Sequence, residues 1–218
     1  MIKRFLILIL ALIMVLGLAA CGAGGSRGNE SATETTGQAG ESTEAADGES
    51  AESGETAEGE GSKTLVVYFS VTGNTEGVAQ KIAAATGGDL YRIQPAQEYT
   101  EADLNYNDNT TRATVEQKDP SARPEIGSEP VSLEGYTTIY IGYPIWWGQE
   151  PRIMDTFVES YDFTGITLIP FCTSGSSGIG QSGSNLEANA GTGTWLEGKR
   201  FAAGASDAEI EDWIAGLH

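Results

Sequence analysis

Three short runs in this 218-residue chain combine small, hydroxyl-bearing and aromatic side chains in ways that could hold a ligand. The first, Ser70-Val71-Thr72-Gly73-Asn74-Thr75, lies between an apolar β-branched run and a helical pattern. Glycine and hydroxyl residues at such a junction let backbone N–H groups turn inward at a helix N-terminus, an anion site suited to a phosphate. The run lacks the lysine of a Walker loop, so it need not serve a nucleoside triphosphate. It equally suits an ordinary strand–helix turn with a threonine cap. The second run, Tyr143-Pro144-Ile145-Trp146-Trp147-Gly148, carries adjacent tryptophans. Neighbours on a strand face opposite ways, so both cannot enter one core. At least one is expected at a surface or in a pocket wall, where a flat aromatic ligand would fit; core-plus-rim packing is the alternative. The third run, Thr173-Ser174-Gly175-Ser176-Ser177-Gly178-Ile179-Gly180, offers small side chains and exposed backbone donors, and would also serve as a plain surface loop.

The elements around these runs alternate. Thr64–Phe69, Asp89–Gln94, Thr137–Gly142 and Ile166–Cys172 read as strands, the first as one buried on both faces, and a weaker fifth lies between Thr194 and Ala203. Glu76–Thr86 reads as a helix stopped by Gly87-Gly88, and Pro151 opens another whose stripe is Ile153, Met154, Phe157, Val158 and Tyr161. Ser206 and Glu209 form a capping box before Ile210, Trp213, Ile214 and Leu217, which recur at helical spacing. Residues 95–135 contain four prolines and read as irregular, with a helix expected over Asn107–Gln117. Alternation of this kind implies βαβ units and a parallel sheet covered on both faces. Ligands of such sheets bind beyond the carboxyl ends of the strands, where all three runs fall.

Together the three runs carry a resemblance. (Ser/Thr)-x-Thr-Gly-x-Thr after the first strand, Gly-Tyr-Pro-Ile-Trp-Trp-Gly after the third, and Phe-Cys-Thr-Ser-Gly-x-Ser-Gly after the fourth resemble the flavodoxin family. The similarity extends to flavodoxin-like proteins of anaerobic bacteria with a Pro-Ile-Trp-Trp signature, and covers roughly residues 64–218. It implies an α/β fold, a doubly wound five-stranded parallel sheet of order 2-1-3-4-5 with helices on both faces. It also implies FMN as cofactor. On that resemblance Ser70, Thr72, Gly73, Asn74 and Thr75 would cradle the phosphate. Pro144, Ile145, Trp146, Trp147 and Gly148 would flank the isoalloxazine, and Gly148 could rotate its peptide toward flavin N5. Thr173, Ser174, Gly175 and Gly178 would contact the ring edge and its far side. Small flavodoxins lack a segment as long as 95–135.

Residues 1–21 read as a separate unit. Lys3 and Arg4 precede an apolar run from Phe5 to Gly17, too short for a comfortable permanent span, which needs roughly 20 residues. Leu18-Ala19-Ala20-Cys21 resembles a bacterial lipobox, which makes Cys21 the expected lipidation site and the leader a signal peptide. Residues 22–62 hold ten acids, Arg27 and no large apolar side chain, for a net −9. Such a stretch cannot offset its conformational entropy by burial and is expected to be an extended, disordered tether to a domain at 63–218. The chain's net charge is −19, of which residues 63–218 carry −12. An acidic domain repels phosphate backbones, which argues against nucleic-acid binding, and it favours basic partners. It should also disfavour an anionic reduced flavin. The one histidine is His218, and there is no Cys/His cluster, so metal catalysis and histidine-dependent triads are not expected. The reading that follows is a lipid-anchored electron carrier on the outer face of a bacterial membrane, serving a redox partner protein that is itself membrane-associated. Two others stand beside it: an NAD(P)H- or quinone-linked FMN oxidoreductase of the same fold, and a binding module that has lost the flavin.

Overall fold

The computed structural model describes residues 62–217; the leader, Cys21 and the tether lie outside the described residues. The first strand, β1 (Lys63–Tyr68), shows how the sequence builds the sheet. Successive side chains of a strand point to opposite faces. Leu65, Val67 and Phe69 accordingly enter one core layer and Val66 and Tyr68 the other. Around it lie β2 (Asp89–Arg92), β3 (Tyr136–Pro144), β4 (Thr167–Thr173), β5 (Thr194–Trp195) and β6 (Lys199–Phe201). Their order is β2-β1-β3-β4-β5, with β6 also paired to β4, and every pairing is parallel. The expected fifth strand is thus present in two pieces. Leu196-Glu197-Gly198 interrupts it, and both pieces use the same side of β4.

Helices α1 (Asn74–Thr86) and α5 (Asp207–Ala215) cover one face through Val78, Ile82 and Ile210. The other face takes α3 (Arg152–Glu159), whose Ile153, Met154, Phe157 and Val158 are fully buried, together with Leu186 of α4 (Ser182–Ala190). Gly87 caps α1 in the left-handed conformation, with its N–H on Ala83 O. Ser206 caps α5 by accepting from the Glu209 N–H. Pro151 stands just before α3, as its cap rather than its first residue.

Two helices also differ from the sequence reading. In the 95–135 segment the helix, α2, runs Arg112–Lys118 instead of Asn107–Gln117. The Asp108 side chain accepts from the N–H and hydroxyl of Thr110, an Asx turn that competes with helical bonding until Arg112. And α4 was not expected at all; its Ser-Gly-Ser-Asn opening has weak helix propensity, and only Ser182 and Leu186 are buried along it. Among the described residues no helix is long and apolar enough to cross a membrane.

Candidate functional site

Phe69 bonds across to Gly142, and β1 then releases the chain into the first loop. Gly73 turns it into α1 at φ 82°, a left-handed conformation that an L side chain adopts only at a cost of roughly 1–2 kcal/mol. No side chain caps α1 there, so its first N–H groups and the positive end of its dipole face outward beside Thr72 and Asn74, both exposed. Thr75, by contrast, is buried, and its hydroxyl meets that of Thr173 at 2.8 Å, which ties the first loop to the third. Ser70 is buried as well; its carbonyl accepts from Arg92 at 3.3 Å.

The second loop leaves β3 at Pro144. Ile145 N–H bonds Thr173 O at 2.9 Å, and Trp146 and Gln149 then exchange two backbone bonds of 2.9 and 3.0 Å. The two residues they enclose, Trp147 (φ 47°) and Gly148 (φ 81°), both have positive φ, as a type I′ turn requires. Glycine belongs there. Trp147 does not, and it is the one non-glycine residue with positive φ among the described residues. Strain of this kind persists where surrounding contacts over-determine it. Here Gln117 of α2 donates to both Trp146 O and Glu150 O at 3.0 Å. The Trp146 indole is wedged edge-to-face against Phe69 and Tyr99, with ring centres 5.5 and 5.1 Å away. The adjacent tryptophans therefore diverge. Trp146 is a core residue, and the Trp147 ring lies over Tyr106 at 4.2 Å and 33°.

Beneath this turn is a buried ionic cluster that the sequence did not reveal. Glu150, Arg152 and Asp155 are all nearly inaccessible. Arg152 Nη1 lies 3.6 Å from Glu150 and 3.3 Å from Asp155, while Nη2 donates to Gln117 O and Gln149 Oε1. Asn185 and Asn189 of α4 donate to Glu150 and Asp155 respectively. Burial pushes the Glu150 carboxyl up to about 7, with repulsion from Asp155 adding to it and Asn185 and Arg152 opposing. Burial likewise raises Asp155.

In the third loop, Ser174 and Gly175 are held by Arg200 of β6, which donates to their carbonyls at 2.6 and 2.9 Å. A β-carbon on Gly180 would stand 3.7 Å from Gly148 O, so the second and third loops meet there. Cys172, just before this loop, is fully buried, and burial pushes its thiol up to about 12, leaving it protonated and unreactive.

The three loops border a cleft of about 410 Å³ at the carboxyl edge of the sheet. Thr72 and Asn74 line one end. Pro144, Ile145, Trp146, Thr173, Ser174 and Gly175 line its length, joined by Leu104, Tyr106, Ala202 and Ala203, which sequence reasoning missed. Gly73 sits at the mouth of α1, Ser70 and Thr75 lie behind the lining, and Trp147, Gly148 and Gly178 are outside it. Two other hollows, one of about 390 Å³ between α1 and α5 and one of about 650 Å³ between α5 and residues 196–199, include none of the three loops. An uncapped helix N-terminus, a polar middle and an apolar aromatic end suit an elongated ligand with an anionic tail and a flat head.

A family model described as Flavodoxin matches residues 63–217. Among solved structures, a candidate flavoprotein of Bacteroides uniformis is 48% identical, with a TM-score of 0.68 over 71% of this chain and 99% of its own. Another, of Bacteroides eggerthii, is 44% identical with a TM-score of 0.67, over 72% of this chain and 98% of its own. A flavoprotein of Lactobacillus acidophilus crystallised in complex with FMN shares the fold at 21% identity and a TM-score of 0.52, over 70% of this chain and 99% of its own. No curated protein matches.

Proposed function

Since this chain belongs to the flavodoxin family, we propose that it is a membrane-anchored, extracytoplasmic carrier that passes electrons through a bound FMN to a protein partner. The carrying observation is the cleft, in which an uncapped helix N-terminus and an aromatic end share one sheet edge, an arrangement that supports a phosphate at one end and a ring at the other. FMN is the cofactor, and the residues present fit it. Thr72, Asn74 and the first N–H groups of α1 would hold the phosphate. Thr173, Ser174 and Gly175 would meet the polar edge of the ring, and Pro144, Ile145 and Trp146 its apolar side. FMN supplies the electron chemistry, and the protein binds, orients and electrostatically tunes it. Buried Thr75 and Thr173 position two of the loops against each other, and Gln117 fixes the turn beside the ring end. The net −12 of residues 63–218 favours a basic docking surface on the partner.

The test of the carrier reading is anaerobic reduction of the full-length flavin-loaded protein. Dithionite is expected to bleach its visible spectrum, while excess NADPH alone leaves the spectrum unchanged. Rapid bleaching by NADPH, followed by turnover with a quinone, would replace the carrier with an oxidoreductase. The anchor rests on the Leu18-Ala19-Ala20-Cys21 sequence. Cys21→Ser is expected to leave an uncleaved precursor or release the protein from the membrane fraction. A processed mutant that stays with the membranes contradicts lipidation at Cys21.

A further inference from the structure

The connection between β2 and β3 delivers one exposed aromatic ring to the cleft. Two aromatic side chains line that cleft, Trp146 and Tyr106. Trp146 is 4% exposed, and Phe69 and Tyr99 already pack against its ring. Tyr106 is 55% exposed, and its ring is stacked at 33° on Trp147. The third loop, Thr173–Gly180, holds no aromatic residue at all, so it cannot offer a flat apolar face to a ring. Tyr106 is also placed by built structure. The Asn105 side chain accepts from Asn107 N–H at 3.0 Å, and Asp108 N–H bonds Asn105 O at 3.2 Å. Behind it, Trp147 is locked by its closed turn and by Gln117. A rigid tryptophan thus backs a tyrosine whose other face is open, an arrangement suited to layered stacking.

We infer that Tyr106 is a binding residue for the flavin ring, its open face forming the aromatic wall of the cleft with Trp147 as its backing. This rests on the FMN reading above. It gives residues 95–135 a role: α2 pins the tryptophan turn, and the stretch before it supplies the stacking side chain. Trp147 then acts on the ring through Tyr106, as a positioning residue.

The test uses the full chain stripped of flavin, as wild type, Tyr106→Ala and Tyr106→Phe, each titrated with FMN and with riboflavin, which lacks the phosphate. Tyr106→Ala is expected to weaken both ligands by the same factor, about tenfold, as loss of one stacked face and its buried area implies. Tyr106→Phe keeps the face and should keep the affinity. The thermal midpoint of the apoprotein should fall by no more than a few degrees, because only the stack on Trp147 is lost from a side chain that is 55% exposed. Wild-type affinity in Tyr106→Ala overturns the inference. So does a loss confined to FMN, which would place Tyr106 at the phosphate, or an equal loss in Tyr106→Phe, which would make the hydroxyl the contact. A wild type that binds neither flavin defeats the FMN reading itself along with this inference, whereas a binding wild type with an indifferent alanine variant defeats this inference alone.

Discussion

Thr72→Glu is expected to weaken FMN binding by about 3 kcal/mol, about a hundredfold, while leaving riboflavin binding essentially unchanged. Thr72 is exposed at the mouth of α1 and lines the end of the cleft, so a glutamate there folds without disturbing the core. Its carboxylate would stand at the end of the cleft that the phosphate is proposed to occupy. At an effective dielectric near 20, two like charges about 6 Å apart repel by about 2.8 kcal/mol, and a phosphate carries about one to two charges. Losing the threonine hydroxyl alone would cost only about 1 kcal/mol, so Thr72→Val separates the charge effect from the lost bond. Position 75 is unsuitable for this experiment. Its hydroxyl is buried against Thr173, and a glutamate there would report on folding. Flavin fluorescence titration reads both ligands. Equal loss for FMN and riboflavin, or no loss for either, would move the phosphate away from α1.

The second large effect concerns stability. Arg152→Met is expected to lower the unfolding free energy by about 3–5 kcal/mol at pH 8, the usual result of breaking a buried ion pair. Arg152 is 6% exposed and lies between Glu150 and Asp155, so its removal leaves two buried carboxylates with Asn185 and Asn189 as their hydrogen-bond donors and Arg123, 4.0 Å from Asp155, as the nearest remaining cation. The loss should depend on pH. Glu150 already has a folded value of about 7, above the ordinary carboxylate value of 4.5, because it is buried. For a carboxyl raised in the folded state, the stability it contributes is intact below its unfolded value and is lost as pH rises through its folded value. Without the guanidinium both Glu150 and Asp155 rise further. The gap between mutant and wild type should therefore be widest above pH 7 and shrink toward pH 5, as the folded state takes up protons. Surface carboxylates held low, such as Asp89 beside Lys63 and Tyr136, are the same in both proteins and cancel. Urea unfolding at pH 5.0 and 8.0 checks this. A difference that is small or independent of pH would mean that the cluster is hydrated and loosely held.

Much of the fold was legible because burial leaves a pattern in the sequence. Val66 and Val67 read as a two-faced strand because both faces of β1 are covered, and the spacing of Ile153, Met154, Phe157 and Val158 gave α3 its stripe. The Ser206 cap was visible because its bond is local, although the box is only half formed: Glu209 donates its N–H to Ser206 while its carboxylate lies 3.9 Å from Lys199. Helix α4 was hidden because its buried side is reduced to Ser182 and Leu186. The fifth strand was blurred because Glu197-Gly198 breaks it into two short pairings with β4. At the site, the three loops could be found by their residue types. Their supports could not, because each acts across a long stretch of chain. Arg200 reaches Ser174, Gln117 reaches Trp146, and Tyr106 meets Trp147. Nothing local in residues 95–135 signals that they build a wall of the cleft. The two tryptophans were expected to diverge by strand alternation, but β3 ends at Pro144, and it is the positive-φ turn at Trp147 that parts them and leaves Trp146 in the core.

The most direct test of the account is to titrate the flavin-free full-length protein with FMN and with riboflavin, following flavin fluorescence. With a phosphate site at the α1 N-terminus and a ring site along the second and third loops, the account predicts saturable binding of one FMN per chain, tighter than riboflavin. No saturation at micromolar FMN, or equal affinity for the two flavins, would contradict it.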